Sequence, residues 1–94
     1  MYSLEIIIGF SKTGHIMKQR ELYESTEELY KQIVQYIEDY EAEAVIMREE
    51  TYTARFIAMK FEPNVVNSDI TLFELEGIID IDGFWGVEEY MNTH

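Results

Sequence analysis

Residues 2–10, YSLEIIIGF, alternate with a period of two. Tyr2, Leu4, Ile6, Ile8 and Phe10 fall on one side, and Ser3, Glu5, Ile7 and Gly9 on the other. That alternation, with its β-branched enrichment, predicts a strand with one face in a core. Ser11-Lys12-Thr13-Gly14 then predicts a turn, Gly14 being free to take positive φ. Residues 15–23, HIMKQRELY, are expected to return as the second strand of a hairpin, and their mixed polarity suits a sheet edge.

The pattern then changes period. Ser25 followed by Glu28 is a capping box, and Thr26-Glu27-Glu28 put acids at the positive end of a helix dipole. Leu29, Ile33, Ile37 and Tyr40 recur at helical spacing, with Tyr30 and Tyr36 beside them. The predicted helix covers residues 26–41. Residues 44–49 (AVIMRE) and 51–61 (TYTARFIAMKF) read as two further strands on their β-branched and aromatic content. The joint at Glu49-Glu50 has no Gly or Asn, so its turn type is open. Pro63-Asn64 ends the second of these strands.

Residues 67–76 fit either a short helix capped by Asn67-Ser68-Asp69 or a strand, because Leu72-Phe73-Glu74-Leu75 is too short to separate the two periods. Gly77 is expected to interrupt the chain, residues 78–81 to form a strand, Asp82-Gly83 a turn, and residues 87–91 a last helical turn. The whole predicts an α+β fold. It comprises an antiparallel sheet of four to five strands with one long helix packed across it, ββαββ plus a mixed C-terminal tail, in one domain over residues 1–94.

Charge changes this picture more than composition does. The chain is 47% apolar with seven Tyr, five Phe and one Trp, enough to fold despite a formal charge of −12. The first 60 residues hold all seven bases against eleven acids, a net −4; the last 34 hold eight acids and no base. Such a lobe repels nucleic acid and anionic membrane and attracts proteins that hold nucleic acid. Lys12, Lys18, Arg20 and Lys31 could form a small basic patch, but the overall field opposes phosphate. Glu38, Asp39, Glu41 and Glu43 crowd the end of the predicted helix, where the dipole favours cations. They fit a solvated helix end or an acidic edge kept for a basic partner.

Candidate chemistry is sparse. The chain has no cysteine, so disulfides, thiolate metal sites and thiol nucleophiles are excluded. His15 and His94 have no Ser or Asp at a recognisable spacing, and GxSxG, HExxH and phosphate-cradling glycine loops do not occur. No catalytic residue, cofactor or metal is expected. Asp80-Ile81-Asp82-Gly83 with Glu89 partly matches a calcium loop, but the first ligand position falls on Ile78, which has no side-chain oxygen. An ordinary Asp-Gly turn accounts for the same residues. No signal peptide or membrane-length apolar run is read, so a cytoplasmic protein is expected.

In size, charge and lack of cysteine or catalytic motifs, the chain resembles the small acidic phage-type inhibitors of host proteins, DNA mimics among them. The run Ile8-Gly9-Phe10-Ser11-Lys12 and the polar strand after it also resemble the hairpin-plus-helix start of a phage antitoxin family that blocks a bacterial RNase toxin. The resemblance implies a non-enzymatic protein in a bacterial cell that inhibits a basic, nucleic-acid-handling host protein by mimicry or by blocking its active region. The candidate partner-binding residues are Glu74, Glu76, Asp80, Asp82, Glu88 and Glu89, with Phe84 or Trp85 as an apolar anchor among carboxylates. Glu38, Asp39, Glu41 and Glu43 form a secondary acidic edge. The alternative is a structural or assembly module that forms a homodimer through an edge strand, its acidity serving solubility alone.

Overall fold

A computed structural model describes residues 1–67 and 69–86. The order is β1 (Tyr2–Phe10), β2 (Ile16–Tyr23), α1 (Thr26–Met47), β3 (Tyr52–Lys60), β4 (Ile70–Asp80) and β5 (Gly83–Gly86). The five strands form one antiparallel sheet in the order β2-β1-β3-β4-β5, with α1 across one face. This is the α+β architecture expected from the sequence.

Alternation decides which side each residue takes. Leu4, Ile6 and Ile8 of β1 and Tyr52, Ala54, Phe56 and Ala58 of β3 are buried under the helix, together with Ile79 of β4. Leu29, Ile33 and Ala44 close this core from the helix side. Tyr30 stacks on Phe73 of β4 at 5.4 Å, while Tyr40 meets Tyr52 at 5.0 Å and Phe10 at 6.2 Å. The helix thus spans the sheet diagonally enough to touch β2 through Tyr36 and Tyr40, and β4 through Tyr30. Its start follows the sequence signal, Ser25 Oγ accepting the Glu28 N–H at 3.3 Å.

Two expectations need correction. Residues 44–47 are helix, not strand, and α1 runs to Met47 rather than ending near residue 41. The cause is Ala44, which continues the stripe of Ile33, Ile37 and Tyr40 at helical spacing and is fully buried. Core contact at that one position overrides the strand preference of Val45 and Ile46, which point outward at 58% and 78% exposure. The acids at 38–43 therefore lie before the last turn, where the dipole penalty has mostly faded. Residues 48–49 are likewise not strand. Arg48 and Glu49 take φ of 41° and 58°, an uncommon conformation for side-chain-bearing residues.

The second correction concerns Gly77, which does not interrupt the chain. Of the two readings left open for residues 67–76 the strand is the one found, and 70–80 make one eleven-residue strand with Gly77 inside it. The helical turn expected at 87–91 lies outside the described residues.

Candidate partner-binding surface

The β4–β5 hairpin is built by two glycines and one carboxylate. Gly77 pairs with Gly86, and a Cβ on Gly77 would sit 2.0 Å from the Trp85 carbonyl oxygen, so only glycine allows that approach. Gly83 holds φ of 120°, which side-chain-bearing residues avoid. Between them, Asp80 Oδ1 accepts the Asp82 N–H at 2.8 Å and the Trp85 Nε1–H at 3.2 Å. One carboxylate thus fixes both the turn and the indole.

This arrangement sorts the candidate residues. Glu74, Glu76 and Asp80 share the face of β4 turned away from the helix, and Trp85 joins them through its register with Ile78. Phe84 takes the opposite side and packs against the core, so the two aromatics do different work. Asp82 is exposed at the hairpin tip. Glu88 and Glu89 lie outside the described residues.

The secondary edge approaches the hairpin at Glu41. Glu41 lies against Gly83, its Oε1 3.3 Å from where a Cβ on that glycine would be. Glu38 and Asp39 are exposed on α1, with Asp39 accepting a hydrogen bond from Gln35 one turn earlier at 2.8 Å. Glu43 is exposed on α1 and lies near enough to Tyr52 to act on its phenol. Burial first, and Glu43 second, push the Tyr52 phenol up to about 12. Neither 32–47 nor 61–86 contains a Lys or Arg, so this junction has no basic residue in either segment.

The remaining acids are not equivalent to these. Glu74 forms an ion pair with Arg55 of β3 at 2.5 Å, and Glu5 with Lys18 at 3.2 Å. Glu21 accepts hydrogen bonds from Gln19, Tyr23 and Tyr36, which ties β2 to the helix. Burial and this same Glu21 raise both tyrosines above their ordinary range.

Sequence reasoning missed Glu50. It is 4% exposed, and its Oε1 accepts the Ser11 hydroxyl at 2.9 Å and the Lys12 N–H at 2.8 Å. Ser11 Oγ in turn accepts the Thr51 N–H at 2.9 Å. The β1–β2 turn is thereby latched to the α1–β3 connection, which also carries Arg48 and Glu49 at positive φ. No local motif marks Glu50, because its partners are 38 and 39 positions away.

Among the described residues, no group of three or more His, Asp or Glu is placed to hold a metal ion. The segment matched to a calcium loop contains parts of two paired strands, so residues 78–86 do not form such a loop. No described helix is long and apolar enough to cross a membrane. No family model, curated protein or solved structure matches the chain.

Proposed function

We propose that this protein is a non-enzymatic binding protein that docks on a basic, nucleic-acid-handling protein and blocks its nucleic-acid site. The docking edge is the β4–β5 hairpin tip together with the adjoining side of α1. Asp82, Glu41, Glu38 and Asp39 carry the charge, with Asp80 holding the hairpin in shape. The observation behind this reading is the approach of Glu41 to Gly83, its Oε1 lying 3.3 Å from where a Cβ there would be. It joins two acidic segments about 40 residues apart in sequence, neither containing a Lys or Arg.

The physics favours such a partner. Exposed acids on one edge steer a basic groove into contact and repel free nucleic acid. A hairpin whose turn is fixed by Asp80 presents Asp82 without a large ordering cost on binding. Phage origin and a bacterial, cytoplasmic setting belong to this same proposal.

Affinity capture tests it. Immobilised protein is exposed to nuclease-treated bacterial lysate and bound proteins are eluted along a salt gradient. The reading predicts a nuclease, repair, nucleoid or toxin protein released at high salt. The Glu38→Lys, Asp39→Lys, Glu41→Lys, Asp82→Lys variant is predicted to retain none of it. Equal retention by that variant would remove the acidic edge from the account.

A further inference from the structure

The helix-free face of the sheet carries a charge pattern that is complementary to itself. The register places its residues in rows across four strands. One row reads Lys18, Ile7, Arg55, Glu76 from β2 to β4, and the next reads Arg20, Glu5, Ile57, Glu74. A third, toward the hairpin end, reads Ile16, Gly9, Thr53, Ile78. Cations thus occupy the β2 column and carboxylates the β4 column, at the same heights. Lys18, Arg20 and Glu76 are exposed, as is Ile16 at 66%, while Ile7 and Ile57 in the central columns are half-buried.

We infer that this face pairs with the same face of a second copy of the chain, forming a two-fold β-sandwich. A two-fold axis running along the strands between β1 and β3 reverses the column order and leaves the heights unchanged. It sets β2 of one copy over β4 of the other and β1 over β3. Lys18, paired with Glu5 in its own chain, then faces Glu76 of the second copy, and Arg20 faces its Glu74, which Arg55 also holds; each contact occurs twice by symmetry. Ile16 meets Ile78 in the row above. Aligned sheets pack about 10 Å apart with strands within about 30° of parallel. Long Lys, Arg and Glu side chains span that gap while their stems cover Ile7 and Ile57.

Two alternatives fit worse. An axis across the strands would set β2 over β2 and β4 over β4, facing like charges. Pairing two β2 edges side by side keeps each residue on its own face, so opposed residue numbers must add to an even number. With the strands fully overlapped, the available registers oppose Lys18 to Arg20, Arg20 to Arg20 or Lys18 to Lys18. Like charges directly opposite are destabilising in an antiparallel pair. The net −12 of each copy opposes any association, but charges beyond about 8 Å are largely screened at physiological ionic strength and the contact pairs are not.

The sandwich overhangs at both ends. With four columns in the interface, β5 and the hairpin tip of each copy project beyond it, leaving two acidic edges available. The dimer does not depend on the basic partner proposed above.

Sedimentation of the purified full chain over a concentration series tests this, using three proteins. The wild type is predicted to be a dimer. Lys18→Glu with Arg20→Glu, and Glu74→Lys with Glu76→Lys, should each weaken self-association by about tenfold or more. An equimolar mixture of the two variants restores opposite charges at every contact and should sediment as a heterodimer. A wild-type monomer at every concentration overturns the proposal without any variant. So do variants that stay dimeric, and a mixture of folded variants, judged by circular dichroism, that stays monomeric. No basic partner is present in these experiments, so their failure is distinguishable from failure of the docking edge.

Discussion

Two turns of this molecule use carboxylates in opposite ways. At the β1–β2 turn, Glu50 is buried and accepts the Ser11 hydroxyl and the Lys12 N–H. At the β4–β5 turn, Asp82 points to solvent and Glu41 approaches Gly83 from the helix, while the half-buried Asp80 accepts the hydrogen bonds of the turn and the indole. The first turn spends its acid on folding, and the second keeps Asp82 exposed at its tip. A count of 19 carboxylates does not distinguish these uses. What separates them is whether a donor faces each one.

The comparison can be broken from either side. The largest effect is expected from Gly77→Ala, since a methyl 2.0 Å from the Trp85 carbonyl must push β5 off β4. The expected loss is about 3 kcal/mol in chemical denaturation. Partner binding should fall with it, because the hairpin tip is displaced. Glu50→Ala removes two hydrogen bonds to a charged acceptor and should cost about 2 kcal/mol. It should leave the acidic edge competent to bind. Asp82→Lys is the converse case, with stability changed by no more than about 0.5 kcal/mol and partner binding reduced. If Glu50→Ala and Asp82→Lys affected stability and binding alike, the division between folding acids and surface acids would be wrong.

Tyr52 sharpens the same contrast at high pH. Its phenol is raised from 10.0 to about 12 by burial and by Glu43. Between those values the unfolded chain loses this proton while the folded chain keeps it, so stability falls as pH rises. Tyr52→Phe should flatten the decline between about pH 10 and 12 in alkaline denaturation curves. Asp82→Asn should leave the decline unchanged.

Much of the fold was legible in the sequence because one side of each clear element is apolar. The alternation of residues 2–10 and the capping box at Ser25 each predicted what the structure contains. The helix end was not legible, because Val45-Ile46-Met47 looks like strand unless Ala44 is known to touch the core. Strand β4 stayed ambiguous because only alternate residues of its first half meet the helix side, and Gly77 reads as a break until β5 is seen against it. The acidic segments themselves were visible. Their sorting was not, since the Arg55–Glu74 pair, the Glu50 latch and the approach of Glu41 to Gly83 all depend on long-range register.

The most direct test of the docking edge is competition. The protein captured from lysate is bound to a fluorescent duplex of generic sequence and titrated with this chain at several salt concentrations, with anisotropy as the readout. The account predicts that the wild type displaces the duplex, less well as salt rises, and that the variant reversed at Glu38, Asp39, Glu41 and Asp82 does not. Displacement by that variant at wild-type strength, or a ternary complex in which the duplex stays bound, would contradict it.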